Sequence, residues 1–437
     1  MSRRFDGEDS MTPTIETLSN GMRIVLAPCE AESVAFGLFV ASGSRHETDK
    51  TAGISHFIEH MLFKGTPTRR PVDITREIEG RGGNFNACTS EESTCYFAHL
   101  PYECLAEAVD IILDMYLNAT MPDDEFAREK QVVIEEIRMY ADEPDAVAME
   151  NLQRALFPSS QLGAPVSGTP ESLAPMRPDD LRRYVNSHYT PSNTVAVVVG
   201  RFDERRAVAE IERRMAKCRR RARALNFSPV DFTKPTVSEV VAEKDIQQTQ
   251  LALGYRTFGF GDPRKYAATL MDTVLGRGMS SRLFQQVRER RGLSYDIASR
   301  MQFFKDAGMF TITAGMDPAK FERTLATVDR ELDRICSKKI PAAELERAKR
   351  FLVGNFRLSH ERVTSKLFFY GATLLSFGRL VSTEEQVESI LAVTPGEVQA
   401  VAQAIFDPAN RSVSRVVPGK QGPDGIAPAN LHHFDRI

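Results

Sequence analysis

Glu125-Phe126-Ala127-Arg128-Glu129-Lys130-Gln131-Val132-Val133-Ile134-Glu135-Glu136 has a partner in the same chain, Glu344-Leu345-Glu346-Arg347-Ala348-Lys349-Arg350-Phe351-Leu352-Val353-Gly354-Asn355. Both are rich in strong helix formers. Outward from this pair the likeness continues. An apolar strand, Val34-Ala35-Phe36-Gly37-Leu38-Phe39-Val40, matches Leu251-Ala252-Leu253-Gly254-Tyr255. A turn, Pro191-Ser192-Asn193, matches Pro408-Ala409-Asn410, and each leads into a strand. Gly37 and Gly254, Glu136 and Asn355, and Pro191 and Pro408 all lie roughly 218 residues apart, the mark of an internal duplication.

A chain of 437 residues is too long for one ordinary core. The expected fold class is therefore α+β, with two duplicated domains over 1–224 and 225–437, joined near Leu225 to Pro235. Each is a mostly antiparallel sheet with helices packed on one face. Leu105 to Asn118 and Phe321 to Ile335 carry apolar residues at helical spacing, and the almost wholly apolar strand Thr194 to Val199 should be buried.

Composition excludes several functions. A hydrophobic content of 42% and a charged content of 26% are those of a globular protein. A net charge of -3 gives no electrostatic case for nucleic acid. The basic run Lys217 to Arg223 reads as a solvated linker. No apolar stretch is long enough for a membrane span. The first ten residues have no apolar core segment, and Asp6, Glu8 and Asp9 argue against a transit peptide, with Met11 an alternative start. The six cysteines contain no C-x-x-C pair and read as reduced thiols. A bacterial cytoplasm is the expected compartment, an organelle matrix the alternative.

The chemistry concentrates in His56-Phe57-Ile58-Glu59-His60. On a helix, residues four apart leave the same face, so the two imidazoles can grip one ion. Glu59, three residues after His56, projects toward that face and can reach a metal-bound water. This H-x-x-E-H order is the inverted zinc-peptidase pattern. None of the other histidines pairs at this spacing. A catalytic zinc takes three protein ligands and keeps a position for water. The third ligand should come from the helix Asp123 to Tyr140, which offers Glu125, Glu129, Glu135 and Glu136. Glu129 and Glu136 are two turns apart and share a face, Glu125 lies near it and Glu135 points elsewhere. The second copy has Ala348 and Asn355 in place of Glu129 and Glu136 and no H-x-x-E-H, so one half carries the metal and its sister is metal-free.

The run His56 to Thr66, followed by Glu129 and Glu136, resembles the pitrilysin family of zinc peptidases in its mitochondrial-processing-peptidase branch. The likeness extends through Asn86-Ala87-Cys88-Thr89-Ser90, Thr94-Cys95-Tyr96, Leu275 to Leu283 and Arg288 to Tyr295. The resemblance implies Zn2+ held by His56, His60 and Glu136, with Glu129 as a second important acid. It also implies that Asn86 and Ala87 bind substrate on an edge strand. Arg288 and Tyr295 would help hold the substrate carbonyl, and Gly276 to Gly278 resembles the family's glycine-rich loop.

The function so implied is a zinc endopeptidase acting on extended peptides or presequence-like segments. Zinc-bound water would be the nucleophile and Glu59 the general base. The resemblance further implies a dimer enclosing a chamber, either a homodimer or a heterodimer with a related subunit. The alternative is a non-catalytic scaffold subunit of a partner complex, a role that gives no reason to keep two histidines, a base and a distant carboxylate in one copy.

Overall fold

The computed structural model describes residues 12–218, 220 and 225–419. Two mixed sheets organise it. The first contains β1 (Thr14–Thr17), β2 (Arg23–Pro28), β3 (Ser33–Val40), β4 (Asn84–Thr89), β5 (Thr94–Pro101) and β6 (Thr194–Gly200), in the order β1-β2-β6-β3-β5-β4. The second contains β7 (Glu239–Lys244), β8 (Thr249–Phe258), β9 (Asp296–Phe303), β10 (Ala307–Met316) and β11 (Arg411–Pro418), in the order β7-β11-β8-β10-β9. Apart from β1 the two orders are the same. Each sheet has one parallel pair, β2 with β6 and β7 with β11, and every other pairing is antiparallel. The two Pro-x-Asn motifs form single 3-10 turns that launch β6 and β11.

Strand alternation explains the apolar runs. Along β3, Val34, Phe36, Leu38 and Val40 enter one core, while Ala35 and Phe39 enter another on the opposite face. Along β6, Ala196 and Val198 face the first core and Val195, Val197 and Val199 the second. A strand covered on both faces has no polar side, so its sequence reads as a continuous apolar run. The expected one-sided layer is present, formed by Ile54–Leu62, Leu105–Asn118 and their neighbours. The far face receives one further helix, Val363–Phe377, through Leu367, Tyr370 and Leu374. The second sheet repeats this device with Pro144–Leu156, whose Ala148, Leu152 and Leu156 pack with Ala252, Met309 and Val416.

The described residues accordingly gather into two compact units, neither of them continuous in sequence. One comprises the described parts of Met1–Ile137, Pro165–Phe227 and Arg357–Val381; the other comprises Arg138–Ala164, Ser228–Phe356 and the described part of Ser382–Ile437. Each half of the chain lends a helix to the other unit, which a single cut at residue 224 does not capture. The duplicated glycines make room for these helices. A Cβ on Gly37 would stand 3.2 Å from Leu367, and one on Gly254 would stand 3.0 Å from both Leu152 and Leu156.

The segment 1–11, with Met11, and Arg219 and Arg221 to Arg223 of the basic run lie outside the described residues. Arg220 is not simply solvated: its guanidinium donates to the carbonyls of Tyr189 and Tyr116 at 3.1 and 2.9 Å. All six cysteines are free. Among the described residues no helix is long and apolar enough to cross a membrane.

Candidate metal centre

The helix Ile54–Leu62 buries Ile54, Phe57, Ile58, Met61 and Leu62 in the first core. That apolar face fixes its rotation and turns His56, Glu59 and His60 the other way. Its start is built without an ordinary side-chain cap. Gly53 caps the helix at φ 90°, and a Cβ there would meet the Ser167 carbonyl oxygen at 2.5 Å. The Glu47 carboxylate takes the place of a capping residue, accepting from Gly53 N–H at 2.7 Å and Ser55 N–H at 2.8 Å. These are helix-terminal donors that would otherwise lack partners.

The helix Asp123–Asp142 buries Phe126, Glu129 and Val133. Their spacing of three and four brings Glu136 round next on the same face. Glu136 Oε2 lies 3.3 Å from His60 Nε2 and 3.8 Å from His56 Nε2. Glu129 takes a different position, with Oε1 2.9 Å from His60 Nδ1 and Oε2 2.6 Å from Lys64 Nζ. Glu125 turns to Arg128 at 3.2 Å. Of the four candidate acids, Glu136 is the one whose carboxylate meets both Nε2 atoms.

Burial pushes His56 down to about 4, with His60 beside it adding to the effect. Burial also pulls on His60, but the bond to Glu129 and the charges of Glu136, Glu129 and Glu59 outweigh it and raise its value. Glu59 is raised by burial, against the opposing bond from Thr89, whose Oγ1 donates to Glu59 Oε2 at 2.5 Å. Glu129 is burdened by burial, yet its bonds to His60 and Lys64 bring it below the ordinary carboxylate value.

Three carboxylates around two imidazoles, with one lysine, make a site of cation-attracting sign. Ligand atoms of His56, His60 and Glu136 lie within 4.8 Å of one another, and they are the one such His/Cys/Asp/Glu group among the described residues. Tetrahedral bonds of about 2.0–2.2 Å set neighbouring donors roughly 3.3–3.6 Å apart. The observed 3.3 and 3.8 Å sit at and just beyond that range. Glu129 occupies His60 Nδ1 and leaves Nε2 to face Glu136, the arrangement in which an outer carboxylate fixes a ligating imidazole. The residues present fit a zinc ion.

The substrate candidates are placed as follows. Asn86 and Ala87 lie on β4, the outermost strand of its sheet, with Asn86 exposed and its Oδ1 accepting from Ala87 N–H at 2.8 Å. Arg288 and Tyr295 belong to the second unit, where the guanidinium carbon lies 4.9 Å from the tyrosine ring centre and Tyr295 is 78% exposed. Gly276 and Gly278 have backbone reasons to be glycine: a Cβ on Gly276 would stand 2.4 Å from Ser299 N, and Gly278 has φ 79°. At the matching positions of the second copy, Ala348 is buried and Asn355 exposed.

Sequence reading assigned no role to Thr89, Lys64 or Glu47. Lys64 carried a signal, one helical turn beyond His60. Thr89 and Glu47 carried none, because their partners are set by tertiary folding.

The chain is similar to known proteins over most of its length. Residues 23–170 match the family described as Insulinase (Peptidase family M16), and residues 175–352 match Peptidase M16 inactive domain. A Bacillus subtilis (strain 168) protein described as uncharacterized zinc protease YmxG is 35% identical over 89% of this chain and 95% of its own. A Mycobacterium tuberculosis (strain ATCC 25618 / H37Rv) protein described as uncharacterized zinc protease Rv2782c is 34% identical over 98% of this chain and 97% of its own. The crystal structure of a protease from Helicobacter pylori shares the fold with a TM-score of 0.87 at 21% identity, over 93% of this chain and 99% of that one. A chain of complex III2 from Candida albicans also shares it, with a TM-score of 0.78 at 20% identity, over 92% and 95%. The fold and site define a zinc-protease-like, two-unit α+β protein. The chain belongs to the M16 (pitrilysin-like) peptidase family.

Proposed function

We propose that this protein is a zinc endopeptidase that hydrolyses extended or presequence-like peptides, with His56, His60 and Glu136 as the metal ligands and Glu59 as the general base. The observation that carries the reading is the convergence of one ligand atom each from His56, His60 and Glu136 within 4.8 Å, in a chain whose relatives are described as zinc proteases. When bound, zinc supplies Lewis acidity that polarises a carbonyl and acidifies water. Glu59 takes the proton from the attacking water and returns it to the departing amide nitrogen. Its burial-raised affinity for a proton suits both transfers. Thr89 holds one Glu59 oxygen in place and leaves the other to move the proton. Glu129 orients His60 through Nδ1 and is itself held by Lys64.

The outer side of the edge strand β4, where the Asn86 side chain holds Ala87 N–H, can pair with an extended peptide once that bond is exchanged, a recognition mode that reads backbone before side chain. Asn86 and Ala87 are the residues assigned to it. Arg288 and Tyr295 are assigned to the substrate carbonyl, with Tyr295 donating to the developing oxyanion. Two copies of the chain, or this chain and a related one, would enclose the substrate. A bacterial cytoplasm is the proposed setting, with an organelle matrix as the alternative, and the bacterial relatives support the former. The scaffold reading has in its favour the shared fold of a complex III2 chain; the retained His/Glu group favours the enzyme.

The test is zinc content and cleavage of a fluorogenic peptide library, with wild type beside Glu59→Gln. The expected result is about one zinc per chain in both, with cleavage lowered about 10²–10⁴-fold in the variant. Wild type that binds zinc and cuts nothing favours the scaffold, and failure to bind zinc overturns the reading.

A further inference from the structure

We propose that Cys88 and Cys95 form a cross-strand disulfide site that responds to small-molecule disulfides and staples the edge strand beside Glu59. The two residues are directly opposite in the antiparallel pairing of β4 with β5, so their side chains leave the same face. Directly opposed residues have Cα atoms about 4.5–5.5 Å apart, inside the roughly 4.4–6.8 Å that a disulfide spans. The Cβ atoms of directly opposed residues lie about 4.5–5.5 Å apart, against the roughly 3.5–4.5 Å of a disulfide, so the two strands draw together slightly on closure, a strain that makes the bond easier to reduce.

The pair is asymmetric in a way that suits exchange chemistry. Cys88 is exposed and Cys95 buried. The neighbouring Cys95 lowers the Cys88 thiol, while burial pushes Cys95 well up. Attack therefore begins at Cys88, the accessible and more acidic thiol. The Cys88 thiolate attacks one sulfur of a small disulfide, forming a mixed disulfide and releasing one small thiol. The Cys95 sulfur then attacks Cys88 Sγ, its S–H proton leaving with the second small thiol. Two protein thiols are oxidised and one small disulfide is reduced.

The bond would close only the tight turn through Ser90 to Ser93, where Ser90 N–H meets the Ser93 carbonyl at 2.8 Å. A loop this short loses little unfolded-state entropy, so the bond adds little global stability. Its effect is local. β4 is the outer strand, it carries Asn86 and Ala87, and its last residue, Thr89, donates to Glu59. An exposed, readily reduced bond at that place is regulatory in character rather than structural. This consequence rests on the reading of β4 as the peptide-binding edge; the bond itself does not.

The experiment treats the full chain with oxidised glutathione, blocks remaining thiols, and digests it with a protease that cuts after Glu91 or Glu92, which separates the two cysteines. The expected product is a Cys88 segment linked to a Cys95 segment, reversed by dithiothreitol, while Cys29, Cys104, Cys218 and Cys336 remain blocked as free thiols. Cys95→Ala should accumulate glutathione on Cys88, and Cys88→Ser should leave Cys95 unmodified. Peptide cleavage should fall several-fold with bond formation in the wild type and stay unchanged in Cys88→Ser. A stable glutathione adduct on Cys88 in the wild type, or oxidation of another cysteine first, overturns the site. A mapped bond with unchanged cleavage overturns the regulatory consequence. Absence of cleavage under every condition counts against the peptidase reading and leaves the mapped bond standing.

Discussion

His60 is held from both sides: its Nδ1 lies 2.9 Å from Glu129 Oε1 while its Nε2 faces Glu136 Oε2 at 3.3 Å. The two acids sit two turns apart on one helix, so one rigid element sets both contacts. Glu129 is 7% exposed and also pairs with Lys64 at 2.6 Å. Removing it would free the imidazole to rotate and leave the Lys64 ammonium without its partner. Glu129→Ala is expected to weaken zinc binding about 10–100-fold, the usual cost of losing an outer-shell partner. Glu129→Gln, which keeps an acceptor for Nδ1–H, should lose less. Competition with a chromophoric chelator measures both, and equal affinities in wild type and Glu129→Ala would remove Glu129 from the site.

Metal removal should separate the ligand set from the rest of the chain. Dialysis against a chelator is expected to lower the thermal midpoint, and zinc added back should restore it. At free zinc one hundred times the dissociation constant, linkage supplies about 2.7 kcal/mol. Glu136→Gln should abolish the zinc-dependent part of that shift and leave the metal-free midpoint close to wild type, since Glu136 lies partly open to solvent with its side chain 27% exposed. Scanning calorimetry with and without zinc checks this, and a zinc shift that survives Glu136→Gln would move the third ligand elsewhere.

Much of this was legible because it is local. Helical spacing of Phe126, Glu129, Val133 and Glu136 follows from the chain alone, as does the four-residue step from His56 to His60. Alternation along β3 and β6 was legible as buried strand. The exchanged helices were not, because nothing in the spacing of Pro144–Leu156 or Val363–Phe377 says which sheet each will cover. Val363–Phe377 did carry a hint, since an apolar character spread round the whole helix marks a helix buried on several sides. Glu47 and Thr89 were illegible for the same reason as the exchange: each acts on the helix Ile54–Leu62 from a different element.

Gly371, on the borrowed helix Val363–Phe377, and Gly354, on the helix Ala342–Ser359, should respond to alanine in opposite directions. A Cβ on Gly371 would stand 2.6 Å from the Phe39 ring, whereas one on Gly354 would meet nothing within 4 Å. Both lie inside helices, where alanine gains about 1 kcal/mol over glycine by propensity. At Gly354 that gain stands alone, so Gly354→Ala should stabilise by about 0.5–1 kcal/mol. At Gly371 overpacking of about 1–3 kcal/mol against a ring fixed in the core exceeds it. Gly371→Ala should therefore destabilise on balance. Urea unfolding of the two variants beside the wild type decides it, and a stabilised Gly371→Ala would contradict the packing of Val363–Phe377 on the first sheet.

Glu47 gives stability a pH dependence that its amide would lack. The carboxyl is 6% exposed, and burial pushes it up to about 7 from the ordinary 4.5, against the opposing bonds from Ser55 and Gly53. The unfolded chain loses this proton near the ordinary value and the folded chain near 7. Between those values the folded state holds more protons, so stability falls as pH rises and levels off above the folded value. Each unit of difference corresponds to about 1.4 kcal/mol, so the rise from 4.5 to about 7 is worth at most roughly 3.5 kcal/mol. The helix terminus it caps favours the charged form and draws the effect toward the lower end of that figure. Glu47→Gln should be less stable than wild type at pH 5, where it loses part of the cap and gains nothing from neutrality. By pH 8 the gap should narrow or reverse, because the amide carries no buried charge. Urea midpoints of both proteins at the two pH values make the measurement, and a gap that widens with rising pH would mean that the folded carboxylate is stabilised by its two backbone donors more than it is penalised by burial.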